Sequence, residues 1–359
     1  MMQQTHFDAN KADIYAMFGN LAFEKFDEYI KKEKIIFYDL TPDVVFNWIS
    51  TLNDKVINRI NFMMNSDPHF TYIGICNFII MYEYWIRKGK HFHIDNDLAN
   101  MLVQTDVHKV KSSSIKLPFD STYFTVPSDL VRIEITDEGE VVYRCYAEGA
   151  YVSKIKDEND NTYLRISMFN NVKNEKNPKE KEGQIGVNLL LPINETDDVF
   201  TVLERRLDEM LPLTPTKGTD DYYIKRNYRV IAKRFVLLII NSLLYLQSDK
   251  AVLESVNVNK NKIENKKYKK KRSKRSADNS YIRIGKKVTI NPSYKKVYEK
   301  LNTLDSEGNN RKQYRGQWIV RGHWRNQPYG EGLSHRKIIW IEPYVKGIGE
   351  LTETQYTIK

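Results

Sequence analysis

Cysteine is almost absent from this sequence, since Cys76 and Cys145 are the only two among 359 residues. At most one disulfide could form, and a chain of this length buries enough apolar surface to fold without covalent cross-links. We therefore expect two reduced thiols in apolar surroundings. The scarcity of cysteine also favours the reducing cytoplasm as the location of the protein.

Long hydrophobic runs are missing as well. The longest apolar stretches, residues 72–86 and 235–246, are interrupted by polar side chains such as Glu83 and Asn241. Both are shorter than the roughly 20 residues of a membrane-spanning helix, so they predict buried core helices and no membrane partner. Residues 1–11 have neither a basic nor an apolar region of the kind that starts a secretory signal, and none is expected.

Sequence signatures of cofactor binding are not found either. There is no P-loop, no dinucleotide-binding glycine pattern, no zinc-ribbon spacing and no nucleophile elbow. Residues 91–97 contain a His-x-His-x-Asp-x-Asp string, but no further His or Cys cluster completes a tetrahedral metal site. We expect a solvated loop at this string, and neither a metal nor a cofactor.

Positive charge is abundant and unevenly placed. The net charge is +10, and residues 260–275 alone hold ten basic side chains against one acidic side chain, Glu264. Residues 311–347 hold eight basic side chains against two acidic ones, which leaves the rest of the chain mildly acidic. A basic C-terminal third on an acidic body indicates a polyanionic partner, and RNA is the one that we favour.

Hydrophobic periodicity predicts an α+β fold in four parts. Residues 1–105 show the helical spacing of a helical N-terminal domain. Residues 106–256 alternate with period two, which predicts a central β-meander, and they end in a long packed helix over 223–246. Residues 257–280 have almost nothing to bury and predict a basic flexible tether. Residues 281–359 predict a small β-rich C-terminal domain.

A strand predicted over residues 317–325 carries the most informative pattern. Because side chains alternate along a strand, Trp318, Val320, Gly322 and Trp324 share one face, and Ile319, Arg321, His323 and Arg325 share the other. We expect the first, apolar face to be buried in the core. The second presents guanidinium groups, which bind phosphate oxygens in pairs, and an imidazole that can donate to the same anion.

Neighbouring residues extend this predicted RNA-binding surface. Gly322 would permit close approach of a backbone, and Trp340 and Tyr344 offer rings on which bases could stack, although a tryptophan in a small β-domain is as often core. The predicted RNA-binding residues are Arg315, Arg321, Gly322, His323, Trp324, Arg325, Gln327, Arg336, Lys337, Trp340 and Tyr344, with Lys266, Lys267, Lys269, Lys270, Lys271 and Arg272 of the basic run.

The same C-terminal text resembles the closing motif of a family of phage and mobile-element proteins that includes type V-A anti-CRISPR proteins. The resemblance rests on Arg-Gly-His-Trp-Arg at 321–325, Tyr-Gly at 329–330 and the sequence RKIIWIEPYVKG at 336–347. Weaker matches are Leu-Pro at 117–118 with Tyr-Phe at 123–124, and Leu-Leu-Tyr-Leu at 243–246. The resemblance implies lowered production of a CRISPR nuclease, by recognition of the nascent protein and loss of its message.

The first functional hypothesis is therefore a counter-defence adaptor in the cytoplasm of a bacterial host. It would recognise a host defence protein, finished or nascent, and engage messenger or ribosome-associated RNA through its basic C-terminus. An alternative is a metal-independent endoribonuclease, in which His323 exchanges protons while Arg321 and Arg325 hold the scissile phosphate. A second alternative is a stoichiometric inhibitor that occupies the nucleic-acid channel of a defence nuclease.

Overall fold

A computed structural model describes ten stretches of the chain. They are residues 14–19, 21–66, 68–127, 130–137, 140–174, 183–193, 196–210, 220–257, 280–285 and 318–346. The statements below concern these residues.

The first layer is helical and has an aromatic core. Its helices are α1 (described over residues 14–18), α2 (Ala22–Glu33), α3 (Pro42–Ile49), α4 (Asp54–Ser66) and α5 (Pro68–Ile86). Phe26 lies at the centre, with its ring 5.0 Å from Trp48, 5.0 Å from Phe78 and 4.9 Å from Tyr82. All four rings are buried, so this layer has a core of its own. No described helix is long and apolar enough to cross a membrane.

An eight-stranded sheet lies against these helices. The strands of the chain are β1 (Lys90–Ile94), β2 (Thr105–Asp106), β3 (Ser121–Thr125), β4 (Arg132–Asp137), β5 (Glu140–Lys156), β6 (Thr162–Asn174), β7 (Gly183–Pro192), β8 (Leu253–Asn257), β9 (Ser280–Ile284), β10 (Trp318–Val320), β11 (Gly322–Tyr329), β12 (His335–Ile341) and β13 (Tyr344–Lys346). The order in the sheet is β7-β6-β5-β3-β1-β9-β8, and β4 also pairs with β5. Only β1 pairs in parallel here, with β3 and with β9.

The two faces of the sheet contact different layers. Along β3, Tyr123 packs into the aromatic core of the N-terminal helices, and the next residue, Phe124, packs into a second core. The second core is built on α6 (Asn96–Val103), α7 (Val199–Met210) and α8 (Asp220–Leu246). The predicted α+β class, with its helical N-terminal region, β-meander and long packed helix, is confirmed.

The histidine string lies on a strand and not on the expected loop. His91 and His93 belong to β1, and the ring of His91 bonds the Thr125 hydroxyl at 2.6 Å. Asp95 caps α6 by accepting from the Asp97 backbone N–H at 3.4 Å. A strand of five residues between two helices is too short to show a clear period of two, so it was not predicted from the sequence.

Strand pairing runs across two of the predicted domain boundaries, which remain predictions. β1, from the predicted helical domain, lies between β3 and β9. β8 and β9 are antiparallel neighbours, with Asn257 opposite Ser280. Residues 258–279 of the predicted basic tether lie outside the described residues, but its first and last residues, Asn257 and Ser280, are therefore side by side in one sheet. It connects two hydrogen-bonded strands.

A buried ion pair ties the helical layer to the sheet. Glu83 of α5 and Arg165 of β6 are in direct contact, and their side chains are 1% and 9% exposed. The Arg165 guanidinium also donates to the carbonyls of Phe37 and Tyr38, at 3.0 and 3.3 Å. Burial raises the pKa of the Glu83 carboxyl, and the charges of Arg165 and Arg87 oppose that shift. A third element, the 3₁₀ turn Phe37–Asp39, is thereby fixed to both layers.

We expect Glu83→Gln to destabilise the protein by about 3–5 kcal/mol, because it leaves the Arg165 charge buried without a counter-ion. The double variant Glu83→Gln, Arg165→Met should be more stable than Glu83→Gln alone, since it removes both charges. Urea unfolding of the four proteins in the cycle measures the coupling.

The matched control is Lys31→Ala, which breaks the exposed Lys31–Asp27 pair and should cost less than about 1 kcal/mol. Additive effects of the two buried substitutions would contradict a coupled pair.

Candidate nucleic-acid interface

The C-terminal motif forms an antiparallel hairpin of β11 and β12 joined by the 3₁₀ turn Glu331–Leu333. Gly330 enters this turn with φ +82°, which glycine adopts without steric cost. β11 also pairs in parallel with β2, with Gly322 opposite Thr105 and His323 opposite Asp106. The predicted strand over 317–325 is in fact divided at Arg321, because β10 pairs instead with β13.

The inner face of the hairpin is buried against the body. Trp324 and Trp340 lie opposite each other across the two strands, are 3% and 2% exposed, and stack with ring centroids 6.1 Å apart. The ring of Tyr245 from α8 meets Trp340 edge-on at 5.6 Å. Both tryptophans belong to the second core, so the hairpin shares its hydrophobic centre with the central sheet and α8.

The hydrogen bonds of the two indoles converge on one polar site. Trp324 Nε1 donates to Asn241 Oδ1 at 2.7 Å, and Asn241 Nδ2 donates to the carbonyls of Leu102 and Thr105, each at 3.0 Å. Trp340 Nε1 donates to Thr105 Oγ1 at 3.2 Å. The polar residue that interrupts the apolar run of α8 thus binds α6, β2 and the hairpin at once.

This packing corrects three of the predicted RNA contacts. Trp324 and Trp340 are enclosed by the core and have no ring face for a base. Gly322 permits a close approach, but of the protein's own chain: a Cβ there would lie 2.7 Å from Thr105 Oγ1 and 2.8 Å from Pro343 Cδ. The sequence could not show this, because residue 105 is more than two hundred positions away.

The outer face of the hairpin carries the predicted cationic row. Arg321, His323 and Arg325 are exposed, while Gly322 and Trp324 between them are buried. The predicted alternation of side chains is therefore present, although a role in RNA binding stays a prediction. His323 and Arg325 are alternate residues on one face of β11 and are therefore about 7 Å apart, and Arg321 directly precedes the strand.

Further polar and aromatic groups continue this face towards the turn. Gln327 lies opposite Lys337, whose ammonium is 5.8 Å above the centre of the Tyr329 ring and 2.9 Å from Asp249 Oδ2. Tyr329 and Tyr344 are 46% and 47% exposed, so their rings have accessible surface. Arg336 is also exposed. Arg315 and the six predicted residues of the basic run lie outside the described residues.

Two residues beside this row were not predicted. Asp106 lies opposite His323 in the β2–β11 pairing, and its carboxylate accepts from the backbone N–H of His108 at 2.9 Å and from the His108 ring. Burial acts to raise the pKa of Asp106, but the bonds from His108 and the charge of Arg321 outweigh it, and the net shift is downward. No local signal connects positions 106 and 323, since a two-residue strand has no visible period.

Within the described part of the chain, no three His, Cys, Asp or Glu residues are arranged to hold a metal ion. The exposed cations make the outer face of the hairpin the candidate site, hereafter the cationic face: Arg321, His323, Arg325, Gln327, Tyr329 and Lys337.

Comparison with known proteins places this architecture in a class. The model of the AcrVA2-like family, described as the anti-CRISPR type V subtype A2 family, matches residues 92–346, more than half of the chain. The class is that of anti-CRISPR proteins, which act in phage counter-defence. The chain belongs to the anti-CRISPR type V subtype A2 family.

Two other comparisons complete the picture. No curated protein matches the sequence. Among solved structures, the crystal structure of AcrVA2 is similar, with 14% sequence identity, a TM-score of 0.47, and coverage of 95% of this chain and 99% of that chain.

We expect Asn241→Leu to destabilise the protein by roughly 3 kcal/mol or more, because it leaves an indole N–H and two carbonyls buried without partners. Urea unfolding followed by tryptophan fluorescence measures the change. Asn326→Ala, at an exposed position of the hairpin, should change stability by less than about 0.5 kcal/mol. Equal effects of the two substitutions would contradict a structural role for the Asn241 amide.

Gly322→Ala should cost about 1–3 kcal/mol, because the added methyl group overlaps Thr105 and Pro343 and forces the hairpin away from β2. Thermal unfolding compared with His323→Ala, on the exposed side of the same strand, tests this. Equal melting temperatures for Gly322→Ala and the unsubstituted protein would show that the close approach of β2 does not contribute to stability.

Proposed function

We propose that this protein is an anti-CRISPR adaptor that recognises a host defence protein, finished or nascent, and engages RNA through the cationic face. The result is reduced expression of the recognised protein, in the host cytoplasm. The observation that carries the proposal is the difference between the two sides of β11: Trp324 on one side is buried in the core, while His323 and Arg325 on the other side, together with Arg321 just before the strand, are exposed to solvent.

Rigidity supports RNA engagement by this face. A row of cations on a mobile loop loses conformational entropy on binding, whereas a hairpin anchored at Trp324 and Trp340 is ordered beforehand. Arginine forks bind phosphate oxygens in pairs, and the exposed Tyr329 ring with Lys337 beside it offers stacking to an unpaired base. These groups favour single-stranded RNA over a duplex, whose bases are already stacked.

Target recognition is assigned to a different part of the chain. The family match begins at Phe92, so the helices α1–α5 lie before it. This layer also exposes large apolar side chains, with Phe62 72% and Tyr72 48% exposed. We propose that the helical layer selects the defence protein, while the matched residues carry the RNA-directed activity.

The double variant Arg321→Ala, Arg325→Ala should weaken binding of labelled single-stranded RNA, because two phosphate contacts are lost. The slope of log affinity against log salt should fall by about 1.4. Binding is expected to persist in part, since the basic run at 260–275 contributes its own charge. Fluorescence anisotropy over a series of salt concentrations gives both quantities.

Lys31→Ala, Lys32→Ala is the charge-matched control, because both side chains are exposed on α2 and should leave the slope unchanged. An equal loss in the two double variants would reduce the effect to net charge and contradict the assignment to the cationic face. Tight binding to a purified CRISPR nuclease in the absence of RNA would instead favour a channel inhibitor.

A further inference from the structure

Asp106, His108 and His323 form a cluster at the end of the cationic face that the adaptor function does not require. His323 and Asp106 are directly opposite in a parallel strand pair, so their side chains leave the same side of the sheet. The Asp106 carboxylate is bonded to the His108 ring, and the charge of Arg321 acts on the same carboxylate. The bond between Asp106 and His108 therefore places this imidazole next to the position opposite His323, where the charge of Arg321 also acts.

The bond between Asp106 and His108 defines the state of the imidazole. An ionised carboxylate only accepts hydrogen bonds, so the contact of Asp106 with His108 Nδ1 assigns the hydrogen to that nitrogen. Nε2 is then the nitrogen that can exchange a proton. This is the arrangement in which a carboxylate orients a histidine for general acid–base catalysis.

Packing fixes the His108 ring in place. It stacks on Phe200 with ring centroids 3.9 Å apart and an angle of 27° between the planes. Phe200 is itself held at the start of α7, where the Asp198 carboxylate accepts from the Thr201 backbone N–H at 2.9 Å. The ammonium of Lys233 lies over the Phe200 ring at 4.2 Å. The His108 side chain is half exposed, yet these contacts hold its ring in one orientation.

We propose that His108 and His323 form an acid–base site that cleaves single-stranded RNA bound along the cationic face. This inference rests on the proposed RNA engagement. One imidazole accepts the proton of a ribose 2′-hydroxyl, whose oxygen attacks the adjacent phosphorus. The bond from phosphorus to the 5′-oxygen breaks, and the other imidazole gives that oxygen its proton.

The products are a 2′,3′-cyclic phosphate and a 5′-hydroxyl, so atoms and charges balance without a further reactant. Arg321 is placed to stabilise the negative charge that builds up on the phosphate oxygens. Asp106 does not contact the substrate in this scheme and is a positioning residue for His108.

The test uses the full-length protein and two labelled oligonucleotides in the presence of EDTA. One is a DNA strand with a single internal ribonucleotide, and the other is the same strand with deoxyribose throughout. Cleavage of the first strand only, with a cyclic phosphate end, is the expected result. His108→Gln and His323→Gln should each lower the rate at least about 100-fold, and His108→Gln, which lies outside the cationic face, should keep its affinity for the uncleavable strand within twofold of the original.

Asp106→Asn should lower kcat and leave KM unchanged, whereas disruption of the RNA-binding surface would raise KM. His93→Gln, at a histidine of the central sheet, controls for a nonspecific effect of replacing a histidine and should cleave at the original rate. Binding without cleavage by the unsubstituted protein overturns the acid–base site and leaves the adaptor function standing. Absence of RNA binding overturns both, and cleavage that survives both histidine substitutions overturns the site.

Discussion

The side chain of Asn241 is the contact on which the placement of the candidate site depends. Asn241 is on the buried side of α8, where the low dielectric makes an unpaired amide costly. Its amide nitrogen donates to the carbonyls of Leu102 and Thr105, and its amide oxygen accepts from the indole of Trp324. An apolar residue could fill the same volume, but it would hold the hairpin without fixing its register. The amide fixes the position of the Trp324 indole, and this position determines which side chains of the hairpin face outward.

The alternation of β11 converts this internal constraint into a surface. With Trp324 fixed inward, its neighbours His323 and Arg325 can only face outward. The absence of a side chain at residue 322 lets β2 approach closely enough to place Asp106 opposite His323. The packing of Trp324 in the core therefore determines which charged side chains the strand presents to solvent. The two strands that flank the cation-rich segment in the sequence, β8 and β9, are antiparallel neighbours in the central sheet.

The family match and the layers of the fold divide the chain at nearly the same place. Residues 92–346 include most of the central sheet, α6–α8 and the hairpin, while α1–α5 precede them. The two parts are not loosely joined, since Arg165 of the sheet binds both Glu83 and the carbonyls of Phe37 and Tyr38. The helical layer is thus joined directly to the central sheet through Arg165.

The sequence by itself determined the elements whose period is long and regular: the N-terminal helices, the β-meander, α8, and the inward and outward residues of β11. It did not determine which segments pair. The insertion of β1 between β3 and β9, the neighbouring ends of the basic run, and the meeting of Asp106 with His323 depend on residues far apart in the chain, and a two-residue strand leaves no periodic trace. The burial of Trp340 was open for the same reason, because an indole suits a core or a stacking surface equally and only the position of Thr105 and Tyr245 decides between them.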